Sequence, residues 1–263
     1  MTEAAKPQLN IEAEIAKIRE MYKDGTDHER TSFLIYGDSG SGKTRSIITA
    51  PGPILVDSFD PGGTDTIRAA IDKGQVVADT RWEKEDPANP DVFLKWQTEY
   101  KRRRQLKFFD HFRTYVIDSA TTWSATIMNR ELKRSGRTGG PPQQNDYLPV
   151  MQVMENIIKD MTGNLPCHLI LICHEDSDKD ELTGRIKIGP LFIGKLRMRI
   201  PLLFSEFYAT QTKETSKGVE YSFLTRNSGL YKARTRIGAE GLFDTYEKPD
   251  YSYLLKKAGF KVE

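Results

Sequence analysis

A mostly parallel sheet with helices on both faces is the fold class that the sequence predicts, and three observations predict it. Four short apolar runs, Phe33-Leu34-Ile35-Tyr36, Ile54-Leu55-Val56, Tyr115-Val116-Ile117 and Leu169-Ile170-Leu171-Ile172-Cys173, are continuous, as expected of strands buried on both sides. Segments with helical spacing separate them. Each run ends at a glycine or at a residue able to carry chemistry: Gly37, Asp57, Asp118 and His174. In such sheets the carboxyl ends of the strands open on one crevice. Gly37, Asp57, Asp60, Asp118 and His174 are therefore expected to share it.

In chain order, residues 10–23 read as an amphipathic helix, with Ile11, Ile15, Ile18 and Tyr22 on one face, Asn10 as cap and Gly25 as stop. Its stripe suits packing on its own domain or on a neighbouring subunit. After the first strand and the loop described below, a helix ends at Pro51-Gly52, and a second strand runs to Asp57. Pro61-Gly62-Gly63 breaks the chain, residues 64–73 read as helix and 75–80 as a weaker strand. Residues 91–107 place Val92, Phe93, Trp96 and Tyr100 on one helix face and end in Lys101-Arg102-Arg103-Arg104, which reads as a solvated face. The third strand, residues 113–118, enters a helix from Ser119 to about Leu132.

Residues 136–146 are too polar and broken to pack and are expected to form a mobile loop. A methionine-rich helix over 147–161, the fourth strand and a charged loop over 177–185 follow. Shorter strand-like pieces are 207–210, 221–225 and the cationic 232–236. The domain reading is a helical extension over 1–30, a core over 31–240 and a tail over 241–263.

Composition narrows the class. Across 263 residues, 38% hydrophobic and 29% charged residues describe a globular chain with a wet surface. No apolar run reaches the roughly 20 residues that span a bilayer. With no hydrophobic signal core at the N-terminus, the cytoplasm is the expected location. Cys167 and Cys173 flank an apolar run and read as reduced core thiols. A net charge of +2 neither demands nor excludes nucleic acid.

The chemistry centres on Gly37-Asp38-Ser39-Gly40-Ser41-Gly42-Lys43-Thr44, placed between a strand and a helix. Glycines at these spacings let successive backbone N–H groups turn inward around phosphate oxygens, and the helix start adds its positive end. Lys43 is then expected to reach the β- and γ-phosphates of ATP and Thr44 to ligate magnesium, with Asp118 completing the metal shell. A strand-end Asp also suits capping of the following helix. Hydrolysis needs an acid that orients water. Position 119 is Ser, so Asp60 is the choice, with Asp57 and Glu175 behind it, and His174 is placed to contact the γ-phosphate.

Residues 37–44, Ile54-Leu55-Val56-Asp57 with Asp60, Tyr115-Val116-Ile117-Asp118-Ser119 and Leu171-Ile172-Cys173-His174-Glu175 together resemble the RecA-type P-loop ATPase core. Within it the chain is most similar to compact bacteriophage ATPases of recombination and single-strand annealing. The resemblance spans about residues 32–238 and implies a magnesium-dependent ATPase in the host cytoplasm, forming a ring or filament and acting on single-stranded DNA. It implies a γ-phosphate sensor at His174 and a Lys-x-Arg pair given to a neighbour's site, matched by Lys232-Ala233-Arg234 or by Arg234-Thr235-Arg236. Both Arg234 and Arg236 are thus candidates. The family's catalytic Glu falls on Phe59, with Asp60 one position further on. DNA-binding loops are implied at 136–146 and 177–187, with Arg134, Arg137, Lys179, Arg185 and Lys187 as phosphate contacts. Two other readings stay open: a nucleotide or small-molecule kinase, and an assembly protein holding ATP as a structural ligand.

Overall fold

The computed structural model describes residues 11–23, 30–179, 184 and 186–262. Its strands are β1 (Ser32–Gly37), β2 (Ile54–Ser58), β3 (Val76–Asp79), β4 (Thr114–Asp118), β5 (His168–Lys179), β6 (Ile186–Pro190), β7 (Glu206–Thr215), β8 (Gly218–Leu224) and β9 (Tyr246–Glu247). The helices are α1 (Ile11–Lys23), α2 (Lys43–Ser46), α3 (Arg68–Asp72), α4 (Val92–Gln105), α5 (Ala120–Arg134), α6 (Gln144–Asn164), α7 (Leu196–Arg199) and α8 (Tyr251–Lys257).

The sheet order is β3-β2-β4-β5-β1-β7-β8-β9, with β6 attached to β5. From β3 to β7 all neighbours run parallel, and β8, β9 and β6 join antiparallel. Helices cover both faces, as expected for β1, β2 and β4, which are buried throughout. Alternation along β1 sorts its side chains: Leu34 and Tyr36 join the core under α4, α5 and α6, whereas Phe33 and Ile35 join the core under α2, α3 and α8.

Register sets the geometry of the crevice. Gly37 lies opposite His174 on β5, and Asp118 lies opposite Ser58 on one side and Ile172 on the other.

Several expectations change. The fourth strand continues to Lys179 and folds back through β6, pairing Glu175 with Pro190 and Lys179 with Ile186. The charged loop expected over 177–185 is thus partly a hairpin arm, since alternating polar residues suit an antiparallel ladder exposed to water. Residues 136–146 are pinned: Arg137 clamps the buried Asp146 with two hydrogen bonds, and the Gln143 N–H donates to the same carboxylate at 2.6 Å, starting α6 three residues before the expected position. Arg103 in the cationic run is buried, not solvated, because Asp57 and Asp79 face it from the sheet. The C-terminal segment carries a helix, α8, and Phe243, Tyr251, Leu254 and Leu255 are fully buried against Phe33 and Tyr208. The expected cap Asn10 and stop Gly25 lie outside the described residues. The exposed α1 residues include Ile15 at 44%.

His168, at the buried start of β5, accepts the Thr31 N–H on Nδ1 at 3.0 Å. Burial pushes its imidazole from 6.5 down to about 4. Between those values the unfolded chain binds a proton that the folded chain refuses. Stability is therefore expected to fall as pH drops from about 6.5 to about 4, by up to about 3 kcal/mol. Urea midpoints across this range check it; a His168→Asn chain losing stability in parallel with the wild type would rule out this source.

Candidate functional site

The loop after β1 is shaped by what surrounds it. Gly40 and Gly42 take left-handed backbone angles, with φ of +75° and +85°. A Cβ on Gly37 would stand 2.0 Å from Thr210 Oγ1, so only glycine fits there. Thr210 of β7 also shares a 2.6 Å hydrogen bond with Ser41 and donates to the Tyr36 carbonyl at 3.2 Å, fixing the loop from below. The Lys43 ammonium donates to the carbonyls of Gly37 at 2.9 Å and Asp38 at 2.6 Å. Burial lowers its pKa, while Asp118 and Glu175 oppose that by Coulomb attraction.

Thr44 Oγ1 donates to Asp118 Oδ2 at 2.6 Å. Two hard oxygen donors this close, one of them a carboxylate, fit a magnesium ion, and the glycine-rich loop beside them suits phosphate. Burial pushes the Asp118 carboxyl up to about 6, with the Thr44 hydrogen bond working against it and Asp60 adding to it.

Asp60 sits just past β2. Its Oδ1 accepts from Ser119 Oγ at 2.9 Å and from the Thr122 hydroxyl, and its Oδ2 meets His174 Nε2 at 3.3 Å. Burial raises the Asp60 pKa, yet the His174, Thr122 and Ser119 hydrogen bonds together outweigh it and hold the group below its ordinary range. The His174 backbone N–H donates to Thr121 Oγ1 at 3.0 Å, and the His174 carbonyl accepts from Leu191 at the base of the hairpin.

Lys43, Thr44, Asp60, Asp118 and His174 line one cavity of about 650 Å³. Asp57 does not join them. It points to the opposite side of the sheet, where Trp96, Tyr115 and Arg103 donate to it at 2.8, 2.6 and 2.9 Å. Alternation along β2 puts it there: Asp57 shares the face of Leu55, in the core under α4, whereas Asp60 lies beyond the end of the strand. Glu175 is half-buried on β5, its pKa raised by burial.

Arg234 and Arg236 lie away from the cavity of their own chain. The Arg234 guanidinium donates to the carbonyls of Pro201 at 2.8 Å and Phe204 at 2.7 Å; the guanidinium of the exposed Arg236 donates to the Leu202 carbonyl at 3.2 Å. Among the residues expected to meet nucleic acid, Arg134 pairs with Glu131 and Arg137 with Asp146, Lys179 and Lys187 are on the hairpin, and Arg185 lies outside the described residues.

Sequence reasoning did not single out Ser119 and Thr122 as ligands of Asp60, although their spacing of three at a helix start is a recognisable capping pattern. Ser119 Oγ does accept from the Thr122 N–H, at 3.3 Å. Thr210 and Tyr221 carry no local signal, because long-range strand pairing alone brings them to the loop.

The family described as AAA domain matches residues 29–237. No curated protein matches the chain by sequence. Solved structures similar to it include the flagellar accessory protein FlaH from Methanocaldococcus jannaschii, at 12% identity over 82% of this chain and 83% of that one, with a TM-score of 0.42. A KaiC-like protein from Pyrococcus horikoshii OT3 is similar at 14% identity over 79% and 82%, with a TM-score of 0.41. An ATPase from the type III secretion system of pathogenic bacteria is similar at 12% identity over 69% of this chain and 52% of that one, with a TM-score of 0.44. With the family match covering well over half of its residues, the chain belongs to the AAA domain family.

Proposed function

We propose that the chain is a magnesium-dependent ATPase that assembles into a ring or filament and acts on single-stranded DNA, in phage recombination, annealing or replication. The observation that carries the hydrolytic part is the convergence of Lys43, the Thr44–Asp118 pair and the Asp60–His174 pair on one cavity. The loop N–H groups and Lys43 hold the phosphates. Thr44 and Asp118 would hold magnesium, which when bound offsets the negative charge of the phosphates.

Water attacks the γ-phosphorus, the bond to the bridging oxygen breaks, and ADP, phosphate and a proton leave. Asp60 suits the orienting of that water more than early removal of its proton, because three donors keep it a weak base. Its Oδ1 is filled by Ser119 and Thr122, so the open lone pair is on Oδ2, beside His174. His174 begins the outer half of β5, so a contact with the γ-phosphate passes straight into the hairpin that carries Lys179 and Lys187. Arg236 is the better of the two arginines to complete a neighbour's site, because Arg234 is committed to carbonyls of its own chain.

ATP turnover measured with and without single-stranded DNA, at two protein concentrations, tests the proposal. DNA stimulation and activity per subunit that rises with concentration are expected; tight binding with no turnover supports a structural nucleotide instead. Asp60→Asn is expected to lower kcat by about 100-fold or more while ATP affinity stays near that of the wild type. Wild-type turnover in that variant would remove Asp60 from the mechanism.

A further inference from the structure

The cavity that holds Lys43, Asp60, Asp118 and His174 is also lined by Tyr221, Pro249 and Ile48, whose character is different. Tyr221 stands on β8 and is 44% exposed. Its ring lies against the loop: a Cβ on Gly42 would meet Tyr221 Cδ1 at 2.9 Å. Pro249 arrives from the other direction on the segment between β9 and α8. That segment is docked by the Tyr251 N–H, which donates to Thr49 Oγ1 at 3.0 Å, and by Ser46 Oγ, which donates to the Tyr251 hydroxyl at 3.3 Å. An exposed aromatic face and a proline ring are thereby held beside the helix that follows the phosphate loop.

Thr49 and Arg45, which also line the cavity, are already engaged. Thr49 Oγ1 donates to the Ser46 carbonyl at 2.7 Å as well as accepting from Tyr251, and Arg45 donates to the Thr66 carbonyl at 3.2 Å. A flat ring entering here meets faces more than fixed hydrogen-bonding edges. Stacking tolerates any base and strengthens with ring area, whereas discrimination by edge needs polar groups reserved for it.

We propose that Tyr221 and Pro249 form the base slot of the nucleotide site, and that it selects purines by stacking, binding ATP and GTP with similar affinity and pyrimidine nucleotides more weakly. The inference rests on the nucleotide-binding reading above. It gives the C-terminal segment a part in the site, since α8 positions Pro249.

Equilibrium competition of ATP, GTP, CTP, UTP and inorganic tripolyphosphate against a fluorescent nucleotide tests it on the full chain. In the wild type, ATP and GTP are expected within about tenfold of one another, because little at the slot reads the base edge. Tyr221→Ala is expected to weaken ATP and GTP by roughly 5- to 100-fold, to narrow the gap to the pyrimidine nucleotides, and to leave tripolyphosphate unchanged. Tyr221→Phe restores purine binding. Unchanged ATP affinity in Tyr221→Ala overturns the slot. So does equal weakening of ATP and tripolyphosphate, which would mean that the ring only props the loop. A wild-type preference of more than about 100-fold for ATP over GTP also overturns it, because stacking alone does not supply that ratio. Lys43→Ala is run alongside: if it retains ATP binding, the nucleotide site itself is misplaced, whereas loss there with no effect of Tyr221→Ala rejects only the slot.

Discussion

Lys43→Ala is expected to raise the Kd for ATP by at least about 50-fold, the order found when one partner of a buried charged contact is truncated. Lys43 is 7% exposed, and among the described residues its ammonium bonds carbonyls of its own loop, at Gly37 and Asp38. Those carbonyls are neutral acceptors, so phosphate oxygens compete for Lys43 with the advantage of full charge. The same buried position makes the lysine costly in the free protein, as its lowered pKa records. Removing it is therefore expected to leave the thermal midpoint nearly unchanged while binding is lost. Calorimetric titration with ATP and a melting curve on the same sample check both halves. Retained ATP affinity at an unchanged midpoint would show that nucleotide, if bound, is held somewhere else.

The parts of the fold legible in the sequence were those set by local pattern. Continuous apolar runs gave the buried strands β1, β2, β4 and the inner half of β5, and the residues at their ends gave Lys43, Thr44, Asp118, Asp60 and His174 as neighbours. What escaped depends on partners distant in the chain. Asp57 looked like a companion of Asp60, but strand alternation turns it into the core, and the cation that neutralises it sits on α4 in what read as a solvated run. The outer half of β5 is too polar to read as a strand from periodicity, since its pairing with β6 supplies the stabilisation. Tyr221 and Thr210 reach the loop through β7 and β8, whose pairing with β1 and with each other has no counterpart in local spacing.

The largest effect on stability is expected where that misreading occurred. Arg103 and Asp57 are 5% and 0% exposed, and Arg103 also bonds Asp79 and reaches Glu99 at 3.3 Å. Burial disfavours the charged guanidinium, yet the carboxylates, Asp57 foremost, raise its pKa above the ordinary value, so Arg103 stays charged. Arg103→Met leaves Asp57 in the core with only the Trp96 and Tyr115 donors, an uncompensated charge that costs about 3–5 kcal/mol. For a chain of this size that corresponds to a fall in melting temperature of roughly 10 °C. Asp57→Asn in the same chain removes the stranded charge while its carbonyl oxygen can still accept from Trp96 and Tyr115. The double variant is therefore expected to be more stable than Arg103→Met alone by at least about 1 kcal/mol. Strict additivity in denaturant unfolding would mean that the two groups are not coupled. The ATP affinity of both variants is expected to stay close to wild type, because the phosphate loop hangs from β1, three strands beyond β2, whereas kcat falls, because Asp60 lies just past β2, the strand that Arg103 anchors.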